Sequence, residues 1–370
     1  MELSRFYAQP KFSPAIFRPR RQNANCCNYS LLSSYHLLNM EIMVTQLDIA
    51  RKLGISRQLV TFALAGYPQV SPESRKLIQA TAIEMGYLPN PHARALKEGK
   101  TGIVALWIPD QISSHYVQVT REMTRLLKQA QVELIVSEMG ASLSGQVLSH
   151  VPADGIFVVD APSQVLTYLR AHPTPNIPLI SMGAQCCPKT DFVKVDLLSG
   201  AIDATRHLIA TGCRRIAHMT FVRKGINEQD RRNGYLQTMK QAGLKPEFIY
   251  YPLSDFQRPI VRQLIQDYVG KQGCPEAIFC HSDDVAVGVY RGLCDMGLHV
   301  PSDVALMGCD GIQDTEYLEY PLTTLIQPVK DMCTAAWQFF TERQANPKRE
   351  SQHLILEPKL VIRESTRRLE

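Results

Sequence analysis

Apolar residues between Gln46 and Leu53 fall on one narrow helical face, at Ile49, Ala50 and Leu53, and Gly54 follows with the backbone freedom a sharp turn needs. Ser56 then offers a side-chain oxygen to open a second helix. In that helix Val60, Ala63 and Leu64 share one face, while Arg57, Gln58, Thr61 and Phe62 occupy the opposite arc. A third helix is predicted from Ser71-Pro72, a cap followed by proline in the first turn, burying Leu77, Ile78, Ala82 and Met85 before Gly86 stops it. Two short helices around a glycine turn, backed by a third, make a helix-turn-helix with a small core of its own.

From residue 101 the pattern changes to short apolar runs separated by amphipathic helical stretches. The runs are Ile103 to Ile108, Val132 to Val136, Ile156 to Val159, Leu179-Ile180, Ile216 to Met219, Ala277 to Cys280 and Val304 to Met307. Such alternation is that of βαβ units, which build parallel sheets covered by helices. The length from 101 to 370 suits two such lobes better than one. No run approaches the roughly 18 consecutive apolar residues of a membrane-spanning helix. The first 42 residues show neither period, so they are expected to be a disordered extension or the product of a start codon placed too far upstream, Met40 and Met43 both lying just before the first helix. Their apolar stretches are too broken by Arg5, Pro10, Lys11 and Pro14 for an export signal.

The net charge of +5 is unevenly spread. Residues 43 to 100 hold eight Lys and Arg against four Asp and Glu, and residues 101 to 370 hold 27 against 29. A basic leading portion on a faintly acidic body suggests that one end meets a polyanion. Ten cysteines without a C-x-x-C spacing, two pairs of them adjacent at Cys26-Cys27 and Cys186-Cys187, suit a reduced, cytoplasmic protein. Neither a phosphate-binding loop, a nucleophile elbow nor an H-E-x-x-H pair is present, so no enzyme activity, cofactor or metal is expected.

The run from Val44 to Leu96, which includes LDIARKLGISRQLVTFALAG and NPHARAL, resembles without a gap the DNA-binding headpiece and hinge of the LacI/GalR family of transcriptional regulators. Family-like segments continue through the rest of the chain at Asp154-Gly155-Ile156, Thr211 to Ala217, Arg231-x-x-Gly234-Tyr235, Ser282-Asp283-x-x-Ala286-x-Gly288, Val304 to Asp310 and Pro321 to Thr324. The resemblance implies an α/β fold: a three-helix headpiece and a two-lobed periplasmic-binding-protein-like core with parallel sheets. The expected divisions are 1–42, a headpiece at 43–89, a hinge helix and linker at 90–100, and a core at 101–370, with lobe 1 at about 101–197 plus 327–355 and lobe 2 at about 198–326.

The resemblance also implies roles. With the second helix in the major groove, Arg57 and Gln58 are the candidate base readers, Arg toward guanine and Gln toward adenine, while Ser56 and Thr61 carry hydroxyls that can reach phosphates. The family usually has an arginine at the position of Phe62, so Phe62 either packs on a thymine methyl or turns inward. Asn90 opens the hinge helix, and Leu96 matches the leucine that wedges between base steps in the minor groove. In the core, Arg231 and Asp310 match charged effector contacts, Ser282 a polar one, and Tyr116 and Phe256 aromatic ones. Asp283 reads as a structural acid. The stretch from Ser137 to Pro152 is shorter than the family's usual helix there. The implied partners are double-stranded operator DNA, a small ligand, of carbohydrate type although a purine would suit the same side chains, and a second copy of the chain, with no membrane. The implied function is a repressor whose operator affinity a small ligand controls; a global regulator answering to a protein co-regulator is the alternative, and a solute-binding or sensor protein without a DNA role is the more remote one.

Overall fold

The computed structural model describes residues 44–87, 100–139, 153–172, 177–221, 230–253 and 257–367. Asn90, Leu96, Phe256, the first 42 residues and most of the short stretch before Pro152 lie outside them. The chain divides into two compact units, one up to Asn90 and one from Pro91 onward.

Among the described residues the first unit has three helices, α1 (Gln46–Leu53), α2 (Arg57–Leu64) and α3 (Pro72–Glu84). Thr45 and Asp48 form a reciprocal capping box at the start of α1, which satisfies two amide donors that a helix start would otherwise leave bare. Gly54 ends α1 at φ 64°, a conformation that costs other residues a Cβ clash. Ile49, Val60, Ala63, Val70, Ile78 and Ala82 make the buried core. Leu77 does not join them: it is 58% exposed. The inward face of α3 follows Ile78, Thr81, Ala82 and Met85, at spacings of three and four, and Leu77 stands about 100° off that line.

The second unit contains two six-stranded sheets of matching order. Its elements are β1 (Ile103–Ile108), α4 (Ser114–Gln129), β2 (Glu133–Glu138), β3 (Ile156–Val159), α5 (Pro162–Ala171), β4 (Leu179–Gly183) and β5 (Asp191–Val195), then α6 (Leu197–Ala210), β6 (Ile216–Phe221), α7 (Asp230–Gln241), β7 (Glu247–Tyr251), α8 (Gln257–Gln272), β8 (Ala277–Cys280), α9 (Asp283–Asp295), β9 (Ala305–Asp310) and β10 (Thr323–Ile326), and last α10 (Val329–Ala345), β11 (His353–Leu356) and β12 (Lys359–Val361). The first sheet runs β11-β5-β4-β3-β1-β2 and the second β12-β10-β9-β8-β6-β7. All neighbours are parallel except β10 and β12.

The continuous apolar runs are explained by burial on both faces of these sheets. In β1, Val104, Leu106 and Ile108 face one cluster and Ala105 and Trp107 another. Strands without such runs escaped the sequence reading. In β5 Asp191, Val193 and Val195 are buried between half-buried neighbours, and β10 opens with two buried threonines, so neither stands out as apolar. β2 reaches two residues past its apolar run, to Glu138, because it is an outer strand whose free edge needs no apolar cover. The chain passes between sheets three times, after β5, after β10 and between β11 and β12, so that residues 359–361 return to the second sheet.

Candidate functional site

Two sets of side chains invite chemistry. In the headpiece, Ser56 caps α2 by accepting from the Leu59 amide at 3.2 Å, which leaves Arg57 and Gln58 on the exposed first turn. Their side chains have no partner among the described residues. Thr61 is committed inside the unit: its hydroxyl lies 2.7 Å from Gln46 Oε1 and 3.0 Å from the Arg57 carbonyl, tying α2 to α1. Phe62 takes the inward alternative, half-buried against the headpiece core with its ring edge-on to Tyr67 at 5.3 Å.

In the second unit, parallel strands place their C-terminal ends, and the loops that follow, where ligands of such folds sit. Arg231, in the first turn of α7, points its guanidinium at Asp310, at the end of β9, at 3.6 Å. It also donates to His281 Nε2 at 2.7 Å and approaches the Cys309 sulfur at 3.6 Å. A guanidinium only donates, so Nε2 of His281 accepts and its proton sits on Nδ1, which has no partner among the described residues. Burial works against the Arg231 charge, but Cys309, Asp310 and Asp160 hold it firmly cationic. Burial likewise pushes the Asp310 carboxyl up, against the pull of Arg231 and of the Gln327 amide, which donates to Oδ1 at 2.8 Å.

Asp283 is the structural acid its sequence context implies. Fully buried, it accepts from the amides of Gly311 and Ile312 and from the Thr324 hydroxyl, at 2.7 to 2.9 Å. Ser282 beside it caps α9 by accepting from the Val285 amide. On the opposite side, Tyr116 on α4 directs its hydroxyl at Asp160 Oδ2, 3.4 Å away. The two halves are joined by Asp284, whose carboxylate accepts from the Ser114 amide and hydroxyl at 2.9 and 2.8 Å and from Arg258 at 2.7 Å, and by Gln118, which donates to the Gly311 carbonyl at 3.2 Å.

Three cleft residues escaped the sequence reading: His115, Asp160 and His281. Each had a positional signal. Asp160 directly follows the apolar run of β3, at a strand's C-terminal end, and His281 holds the same place after β8. His115 neighbours Tyr116 in the first turn of α4. It is 4% exposed, neither ring nitrogen has a partner among the described residues, and burial lowers it to about 4, so it is neutral at physiological pH.

No group of three or more described His, Cys, Asp or Glu side chains could hold a metal ion, and no described helix is long and apolar enough to cross a membrane. Residues 205–366 match the family model for a periplasmic binding protein-like domain. The chain is 29% identical over 331 residues to the ribose operon repressor of Haemophilus influenzae, covering 87% of this chain and 98% of that one. It is 27% identical over 332 residues to the transcriptional repressor PurR of Klebsiella pneumoniae, covering 87% and 97%. Its fold is that of a LacI-family regulator from Enterococcus faecium solved with bound ribose, at a TM-score of 0.66 and 20% identity over 72% of this chain and all of that one. With a helix-turn-helix headpiece and a core of two matching parallel sheets, and with likeness to DNA-binding transcriptional repressors over 87% of its length, the chain is similar throughout that length to transcriptional regulators of the LacI type.

Proposed function

We propose that this protein represses transcription as a homodimer on a pseudo-palindromic operator, and that a small polyhydroxylated ligand, a sugar or sugar derivative, in the interlobe cleft sets its operator affinity. The observation that carries the reading is the cleft itself. A buried guanidinium and carboxylate, Arg231 and Asp310, stand on one side, with Tyr116, Asp160 and an unpartnered His115 on the other. Carboxylates and a guanidinium each bridge adjacent hydroxyls, and an aromatic face stacks on the apolar side of a ring. A relative named for the ribose operon and a neighbour solved with ribose support this ligand class.

On the DNA side we assign base reading to Arg57 and Gln58, with Ser56 at a phosphate and Thr61 and Phe62 as the supports that hold α2 in place. Asn90 and Leu96 are assigned to a hinge helix entering the minor groove, in a chain divided at about residues 42, 89 and 100. One headpiece of this size makes too few contacts for specific affinity, which is why the reading requires two copies. As a reader of operator DNA the protein is assigned to the cytoplasm.

The test is a footprint combined with sedimentation. A dimer giving a specific, salt-sensitive footprint that shifts with an added sugar supports the reading. A tight specific footprint from a monomer, or one that no small molecule moves, would transfer control to a protein co-regulator.

A further inference from the structure

The cleft carries a surplus of carboxylates. Asp160, Asp284 and Asp310 all act on its buried groups, and the described cations there are Arg231, Arg258 and Lys194. All three are already engaged: Arg231 pairs with Asp310, Arg258 with Asp284 and with Asp314, the latter at 3.0 Å, and Lys194 with Asp230 at 3.1 Å. Asp160 has no ion-pair partner among the described residues. Its Oδ1 accepts from the Gln185 amide at 2.9 Å, and among the described residues its Oδ2 meets only the Tyr116 hydroxyl, at a long 3.4 Å.

Backbone strain marks the same two acids. Only three described residues other than glycine have left-handed φ: Gln131, Asp160 at 49° and Asp310 at 125°. Such conformations persist where surrounding structure over-determines them, and they gather at ligand clamps. Space is reserved for Asp160 as well, since a Cβ at Gly183 would come within 2.5 Å of its Oδ1. One carboxylate from each lobe is thus held at the C-terminal end of a strand, against a single shared guanidinium.

We propose that the cleft selects an uncharged polyhydroxylated ligand, gripped between the carboxylates of Asp160 and Asp310, and rejects its phosphorylated counterparts. A carboxylate only accepts hydrogen bonds, so its ligand must bring donors. Hydroxyls bring them; a phosphate dianion brings acceptors and about two further negative charges. His115 fits the same partner. A neutral imidazole offers one donor and one acceptor, and a hydroxyl answers both, whereas a phosphate oxygen answers only the donor. Its neutrality at physiological pH removes a cation that a phosphate would have sought.

This inference rests on the effector reading above, and its test separates the two. Calorimetry on the full chain would compare D-ribose with D-ribose 5-phosphate and D-glucose with D-glucose 6-phosphate, on the wild type and on Asp160→Asn, with operator affinity measured on the same samples. Asparagine tolerates the left-handed backbone, so the variant keeps the fold, which an unchanged thermal melt confirms. In the wild type at least one uncharged sugar should bind roughly 100-fold more tightly than its phosphate, and in Asp160→Asn the ratio should shrink to about tenfold or less. A phosphate ester that binds as well as its sugar, a panel in which no uncharged member binds, or a ratio that Asp160→Asn leaves unchanged would each overturn the proposal. A sugar that binds with the expected selectivity but leaves operator affinity untouched would sink the effector reading alone, and a phosphate ester that binds best and shifts operator affinity would sink the charge selection alone.

Discussion

The two lobes share a strand order yet prepare their sides of the cleft differently. Lobe 2 presents an ion-paired network: Arg231 is held by Asp310, His281 and Cys309, and Asp310 in turn by Gln327 at the crossover to lobe 1, with His281 Nδ1 and Gln327 Oε1 the atoms left without a partner among the described residues. Lobe 1 presents loose ends: His115 has no partner for either nitrogen among the described residues, and Tyr116 meets Asp160 at the limit of a hydrogen bond. Buried polar groups left without partners are costly, whereas a satisfied network rigidifies its surroundings. On the proposed reading lobe 2 is the anchor and lobe 1 the side that a ligand completes. Asp284 and Gln118 connect them.

The largest effect should come from breaking the anchor. Asp310→Ala leaves the Arg231 guanidinium buried without its ion pair, which should lower stability by about 3 to 5 kcal/mol in urea melts and abolish detectable ligand binding. A variant as stable as the wild type would mean that lobe 2 is not preorganised. Next comes the connection. Asp284→Ala removes the carboxylate that holds both Ser114 and Arg258, leaving only their direct contact at 3.4 Å, and should cost about 1 to 3 kcal/mol in the same melts, with a larger radius in solution scattering as the lobes part. Unchanged scattering would place closure elsewhere.

A change in lobe 1 should have the opposite sign. His115→Phe removes two unpartnered buried nitrogens, so without ligand the melt should hold steady or rise by about 1 kcal/mol, while sugar binding weakens about tenfold or more. A fall in stability comparable to that of Asp310→Ala would erase the contrast between the lobes. The last effect is read per pH unit. Burial lowers His115 to about 4 and His218 to about 3, both below the value of about 6.5 for an unfolded histidine. Between those limits the unfolded chain binds protons that the folded chain refuses, so stability falls as pH drops from about 6.5 and levels off below the folded values. Each group contributes at most about 1.4 kcal/mol per pH unit, and His115→Phe should flatten the slope without abolishing it, since His218 remains. A slope that His115→Phe leaves unchanged would mean that His115 titrates normally.

What the sequence revealed divides along similar lines. The headpiece was legible because its determinants are local: Ser56, Gly54 and Ser71-Pro72 punctuate helices within a few residues of the faces they delimit. Leu77 was misplaced because a short helix leaves room for either of two adjacent apolar residues to define its inner face. In the core, Arg231 and Asp310 followed from a family pattern, since nothing local joins residues 79 positions apart that the fold brings within 3.6 Å. His115, Asp160 and His281 went unnoticed because a lone acid or histidine has no periodicity, and only the shared direction of the strands sets Asp160 and His281 at strand ends, with His115 in the first turn of the helix that follows β1.

The central claim is that cleft and headpiece are coupled, and linkage gives it a direct test. Operator affinity would be titrated with and without the tightest-binding sugar, and sugar affinity with and without operator, on the wild type. Coupling requires the two ratios to agree, at roughly 5- to 150-fold for typical allosteric proteins, in whichever direction the ligand acts. Two ratios of one, with sugar and operator each bound tightly, would contradict it.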